Sequence, residues 1–251
     1  MSTINKILFI TLSNMGDVIL SLPVVDYLRE NFPQSKITVM TGPRTKDLLE
    51  NNPYIHKLIV FDKYAKLREK IGLFFRLRKE RFDVVIDLRN TLYGAMLPAR
   101  YKTSPFLCMP KHIVHMKERN LYRLKKALKI KEDMVSAKVR SLYINPRDRE
   151  YVGTLLEKNS ITGNFIVISY AAGGAARRWE IDKFLRLSEK LEHEFTVILV
   201  GAKPYEPVSD YISGPRQKKR IFDFSGLTTL AQLIALLEKA SLVVTADTGT
   251  L

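Results

Sequence analysis

The sequence predicts an α/β protein with two parallel-sheet halves. Short apolar runs of strand length alternate with longer amphipathic segments along most of the 251 residues. The alternation fades between about residues 131 and 163 and then restarts. Polar, glycine-containing loops follow directly on several of the apolar runs, which is where open parallel sheets present their ligand sites.

Residues 6–12 (KILFITL) read as a buried strand, and residues 17–30 as the amphipathic helix after it. A strand is expected at 37–41, a short helix at 43–50 and a third strand at 58–61. The basic stretch 64–80 has helical character and leads into a strand at 83–88, with further helical and extended segments to about Lys131. The weak stretch that follows carries Pro146 and a run of charges and reads as a connection. Strands are then expected at 165–170, 195–200, 221–224 and 242–245, joined by helices at 181–193, 205–213 and 229–239. The predicted division is a first domain over 1–145, a connection over 146–163 and a second domain over 164–251. A parallel strand is ordinarily covered by the helix that follows it. Only Ala246 to Leu251 follow the last strand, so the second domain is expected to be incomplete.

Hydrophobic residues at 46% and charged residues at 27% suit a soluble globular protein rather than a disordered one. Cys108 is the only cysteine, so neither a disulfide framework nor a cysteine-ligated metal site is available within the chain, as expected in a reducing cytoplasm. The N-terminal apolar run is short and is broken by Asn14, Gly16 and Asp17, so neither a signal peptide nor a membrane span is expected there. The formal charge is +15 and lopsided: residues 1–160 hold 30 Lys and Arg against 16 Asp and Glu, whereas residues 161–251 hold 11 against 10. Such a surface attracts nucleic acid, a phosphorylated acceptor or an acidic membrane face; plain solubilisation is the alternative.

Three loops carry the candidate chemistry. The first, after residues 6–12, reads S-N-M-G-D-V-I-L-S-L-P from Ser13. Gly16 stands alone, so this is neither a dinucleotide fingerprint nor a phosphate loop. Asp17 fits a helix-start carboxylate or a general base facing a cleft, and spacing favours the former without deciding. The second loop runs from Ala171 through Gly173, Gly174, Arg177 and Arg178 to Glu180, just before a helix. A glycine pair admits a close ligand, paired guanidinium groups bind phosphate oxygens, and a helix start favours anions; together they suit a diphosphate, with a solvated loop whose arginines face water as the alternative. Trp179 beside them reads as a packing residue. The third loop, Asp247-Thr248-Gly249, follows the last strand and fits a sugar and phosphate contact or an ordinary turn equally well. Asp87, Arg89 and Asn90 close another strand and either touch an acceptor or cap the next helix. The basic segments Lys63–Lys79 and Lys117–Lys131 read as solvated faces or as a surface for a membrane or phosphate-rich acceptor. His56, His112, His115 and His193 fall into no ligand spacing, so no metal is expected.

Taken together, the S-N-M-G-D-V-I-L-S-L-P loop, the R-R-W-E segment and the stretch F-S-G-L-T-T-L-A-Q-L-I-A-L-L-E-K-A-S-L-V-V-T-A-D-T-G resemble glycosyltransferase family 9, the heptosyltransferases, over nearly the whole chain. The resemblance implies a GT-B arrangement of two Rossmann-like domains, acceptor on the first and nucleotide sugar on the second. It implies Asp17 as catalytic base, with Asn14, Gly16, Arg89 and Asn90 on the acceptor side. Gly173, Gly174, Arg177, Arg178, Asp247, Thr248 and Gly249 fall to the donor, with Arg177 where the family's K-x-W-P motif has lysine and Glu180 where it has proline. The family's histidine beyond D-T-G, and the βα units after it, do not appear in this sequence. The implied reaction is metal-independent, inverting transfer of a heptose or related sugar, with ADP-heptose as donor, to a lipid-linked lipopolysaccharide core at the cytoplasmic face of the membrane. Two other classes stay open on the sequence: a shortened remnant that binds nucleotide or acceptor without transfer, and a basic nucleic-acid-binding protein. The latter lacks any recognisable helix-turn-helix, zinc-finger or RNA-binding signature.

Overall fold

The computed structural model describes residues 3–130, 142–170, 179–214 and 220–246. The chain divides into two compact units, Met1–Tyr143 and Ile144–Leu251.

The first unit runs β1 (Lys6–Ile10), α1 (Met15–Ile19), α2 (Leu22–Asn31), β2 (Lys36–Thr41), a 3-10 turn (Pro43–Thr45), α3 (Lys46–Leu49), β3 (Lys57–Val60), α4 (Leu67–Glu80), β4 (Val84–Asp87), α5 (Leu92–Met96), β5 (Tyr101–Lys102) and α6 (Met116–Leu128). Its sheet is ordered β3-β2-β1-β4-β5 and is parallel throughout. Ile7 pairs with Ile37 on one side and Val84 on the other. The central strands are nearly all apolar and fully buried, because helices cover both faces and leave no solvent side for alternation.

The helix expected over 17–30 is two helices. Pro23 has no N–H to donate to the carbonyl four residues back, and it sits comfortably in the first turn of a new helix. Ser21 marks the break: its Oγ donates to the Val18 carbonyl at 2.7 Å. That proton is then spent, so the 2.7 Å contact between Ser21 Oγ and Thr11 Oγ1 has Thr11 as donor. Strand β1 is thereby tied to the end of α1, and the intervening loop has both ends fixed.

The second unit runs α7 (Pro146–Lys158), β6 (Phe165–Ser169), α8 (Ile181–Leu191), β7 (Thr196–Val200), α9 (Glu206–Ser213), β8 (Ile221–Asp223), α10 (Leu230–Lys239) and β9 (Leu242–Thr245). The parallel order β8-β7-β6-β9 repeats the order of the first four strands of the other sheet. The stretch 146–163, expected as a connection, contains α7 and belongs to this unit. Asn145 caps α7 by accepting from Arg147 N–H, and Pro146 takes the first helical position. Its charges lie on the outer side of an amphipathic helix whose Val152 and Leu156 join Leu236 of α10 in one core. Arg149 makes a two-pronged contact with Glu238 at 2.8 and 3.0 Å above that core.

Apolar burial, not the ion pair, should dominate this helix contact. Leu236→Ala is expected to cost about 2–5 kcal/mol, because Leu236 is fully buried. Glu238→Gln is expected to cost less than about 1 kcal/mol, because both partners of the pair are about half exposed. Urea unfolding of the two variants measures the difference.

Candidate functional site

Ligands of open α/β sheets gather outside the carboxyl ends of the strands, where the winding direction reverses. In the first unit that point lies between β1 and β4, which pair side by side and end together, Ile10 beside Asp87. The loop after β1 carries Asn14, Gly16 and Asp17, and the loop after β4 carries Arg89 and Asn90. Sheet pairing thus delivers all five predicted residues of this half to one edge.

Asp17 lies in the first turn of α1, half-buried. Its carboxylate accepts from Asn14 Nδ2 at 3.1 Å. Asn14 occupies the N-cap position of α1, yet its side chain makes no capping bond. The amide is therefore directed at the carboxylate, a use that a purely helix-starting role for Asp17 does not require. Gly16 has open space where a side chain would stand.

The Arg89–Asn90 loop is held from beneath by Asp87. This carboxylate is buried and accepts from Arg89 N–H at 2.9 Å, Thr91 N–H at 2.7 Å and the Thr91 hydroxyl at 2.7 Å. Burial pushes its pKa up, and the Thr91 and backbone hydrogen bonds oppose that shift. Gly94 allows α5 to close on it, since a Cβ there would lie 2.3 Å from Asp87 Oδ2. Asn90 adopts a left-handed backbone with φ 53°, and its Oδ1 accepts from Arg123 Nη1 of α6 at 2.8 Å.

A cavity of about 310 Å³ opens at the same edge, lined among others by Asn14, Arg44, Asp62, Lys63 and Arg89. Three cations face one carboxylate there. Arg89 also lies over the Phe61 ring, 5.6 Å from its centroid. Sequence reasoning singled out neither Arg44 nor Arg123. Arg44 arrives through the turn after β2, and Arg123 through a helix 33 residues beyond the asparagine it holds. Their only sequence signal was the basic character of their segments.

In the second unit the equivalent strands are β6 and β9, which end together with Ser169 beside Thr245. Gly173, Gly174, Arg177 and Arg178 follow β6, and Asp247, Thr248 and Gly249 follow β9; all seven lie outside the described residues. The described rim is tightly built. Tyr170 Oη shares a 2.8 Å hydrogen bond with Ser225 Oγ, and Gly201 admits the phenol, since a Cβ there would lie 2.8 Å from Tyr170 Oη. Trp179 packs edge-on against Phe184 at 4.9 Å, just before and just inside α8, the staple its position suggested. Among the described residues, no three His, Cys, Asp or Glu side chains converge as metal ligands.

The family model for glycosyltransferase family 9 (heptosyltransferase) matches residues 71–251. The chain belongs to glycosyltransferase family 9. Lipopolysaccharide heptosyltransferase 3 of Escherichia coli K12 is 26% identical to this glycosyltransferase, covering 93% of this chain and 74% of its own. Lipooligosaccharide heptosyltransferase 2 of Haemophilus ducreyi is 25% identical, covering 97% and 78%. The solved family 9 glycosyltransferase of Veillonella parvula superposes with a TM-score of 0.81 at 20% identity, covering 100% of this chain and 77% of its own. The E. coli ADP-heptose lipopolysaccharide heptosyltransferase II superposes at 0.76 and 21% identity, covering 98% and 80%. The two parallel-sheet units are the domains of a GT-B fold.

Two glycines at this edge should respond oppositely to one methyl group. Gly94→Ala is expected to destabilise by about 1–3 kcal/mol, because the methyl meets a buried carboxylate. Gly16→Ala is expected to be neutral or stabilising by up to about 1 kcal/mol, because its surroundings are open. Thermal or urea unfolding of both variants reads the sign.

Proposed function

We propose that this glycosyltransferase moves a heptose, or a closely related sugar, from an ADP-sugar to a hydroxyl of a lipopolysaccharide core, with inversion at the anomeric carbon. The observation that carries the reading is the Asp17 carboxylate, held by Asn14 at the edge where Arg44, Lys63 and Arg89 line a cavity. Cations at the strand edge whose loop carries Asp17 suit an anionic acceptor whose hydroxyl must lose a proton. The nucleotide sugar is assigned to the second unit, through the glycine and arginine motif after β6 and Asp247-Thr248-Gly249 after β9. A solved E. coli relative, heptosyltransferase WaaC, was obtained with ADP-2-deoxy-2-fluoro heptose, which supports an ADP-linked donor.

In this reading the acceptor oxygen attacks the anomeric carbon from the side opposite the diphosphate. Asp17 takes the hydroxyl proton as the new bond forms. Positive charge develops on the sugar ring, as in other glycosyl transfers, and negative charge on the departing diphosphate. Arg177 and Arg178 are assigned to that charge, together with the N–H groups at the start of α8. Gly16 leaves room at the helix start for the acceptor, and Arg89 and Asn90 orient it. The reaction is placed at the cytoplasmic face of the membrane, where nucleotide sugars are available. None of the described helices is long and apolar enough to cross a membrane.

Asp17→Asn is expected to lower kcat by about 10²–10⁴-fold, the usual contribution of a general base, with folding stability unchanged. Release of ADP from ADP-heptose in the presence of core acceptor measures it; undiminished turnover removes Asp17 from the chemistry. Arg89→Gln is expected to raise the acceptor KM on the order of tenfold with a smaller effect on the donor KM. Donor class is read separately: ADP should raise the melting temperature, and UDP and GDP should not. A shift with UDP or GDP alone overturns the donor assignment.

A further inference from the structure

Helix α4 carries more apolar surface than its core requires. Leu73 and Leu77 are buried against the sheet, which accounts for one face. Leu67, Ile71 and Phe75, spaced four apart, form a second stripe that points elsewhere, with Leu67 72% and Phe75 55% exposed. Across from them α5 exposes Leu92 at 77% and Met96 at 61%. Between the two helices lies an apolar groove of about 570 Å³. Exposed apolar patches of this kind, rimmed by polar groups, mark interaction surfaces.

The rim is cationic. Lys63, Lys70 and Arg89 line the groove, and the segment 63–81 holds eight Lys and Arg against Glu69 and Glu80. We infer that this groove is a membrane-docking face: Leu67, Ile71, Phe75, Leu92 and Met96 enter the headgroup region of an anionic bilayer while the surrounding lysines and arginines meet lipid phosphates. The chemistry selects this occupant. A second copy of the same face would bring like charges together. A nucleic acid gives aliphatic side chains nothing to stack on. An interfacial helix, by contrast, pairs an apolar stripe with Lys and Arg flanks. The groove also shares Phe61, Lys63 and Arg89 with the cavity assigned to the acceptor. The acceptor's place beside the groove rests on the functional reading above; the surface itself does not.

Co-sedimentation of the full chain with vesicles tests it. Binding is expected to phosphatidylcholine vesicles containing phosphatidylglycerol, weakened by salt, and not to phosphatidylcholine alone. Leu67→Ser combined with Ile71→Ser should weaken binding on the order of tenfold at unchanged melting temperature. Phe75→Trp should show blue-shifted fluorescence on the anionic vesicles. Transfer to a water-soluble, deacylated acceptor should be unaffected by the Leu67 and Ile71 substitutions. Wild-type vesicle binding by the double variant overturns the proposal. So does a dimer in sedimentation equilibrium that the same substitutions abolish, which would assign the groove to a second copy. Vesicle binding by the wild type and its loss in the double variant, with no sugar transfer by either, supports docking and counts against the enzymatic reading alone.

Discussion

Parallel strands buried on both faces leave polar chemistry only one place to go. Inside the sheet an unpaired polar side chain would be desolvated without return, and β1, β4 and β6 accordingly carry almost none. Two buried hydroxyls at the ends of β1 and β2 are satisfied locally. Thr11 donates to Ser21, and Thr41 shares a 2.7 Å contact with Thr45. These small hydroxyl pairs fix the first residues of each loop, so side chains a few positions further on begin from a rigid base. Pairing then decides which loops meet: β1 beside β4 puts Asp17 and Arg89 at one edge, and in the second unit β6 and β9 likewise end together, with Ser169 beside Thr245.

Asp87 shows what that arrangement costs. Its native pKa lies above the ordinary carboxylate value because burial penalises the ion. Carboxyl protonation is then favoured by folding, so its contribution to stability is fully present below the unfolded pKa. It is lost as pH rises through the raised native value. Above that window a buried anion remains, offset by donors from Arg89, Thr91 and the Thr91 hydroxyl. A neutral apolar residue would avoid the penalty but leave those N–H groups unpaired and the Arg89–Thr91 turn without an anchor. Position at the strand end is obtained at the expense of stability.

The fold was legible because the apolar runs are short, nearly continuous and separated by amphipathic segments. What escaped was local stereochemistry and distant contact. Pro23 divides one amphipathic pattern into two helices whose apolar residues still keep helical spacing, so periodicity alone does not reveal the break. Pro146 and its neighbouring charges looked like a linker, yet proline opens a helix as readily as it ends one, and charges belong on the outer face of α7. In the candidate site, Asn14, Gly16, Asp17, Arg89 and Asn90 were singled out because they lie in loops that follow strands. Arg44 and Arg123 were not, because their place is set by the tertiary path of a turn and a helix, and basic residues are abundant throughout this half.

Lys63 and Arg89 belong at once to the cationic cavity and to the rim of the apolar groove. In Coulomb terms alone, the proposed anionic acceptor and the proposed anionic bilayer would compete for the same charges. The competition is modest at a wet surface, where screening acts over about 8 Å at physiological salt. It is outweighed if the acceptor is itself held in the bilayer. Docking then turns acceptor capture from a search in three dimensions into one along a surface, raising its effective concentration without any new contact. The apolar stripe matters for this reason. Cations alone would let the acceptor displace the membrane, whereas in the proposed docking Leu67, Ile71 and Phe75 would hold the surface by a force that neither acceptor charge nor salt screening removes. Separating the two attractions would let one edge of the sheet serve both proposed anionic partners.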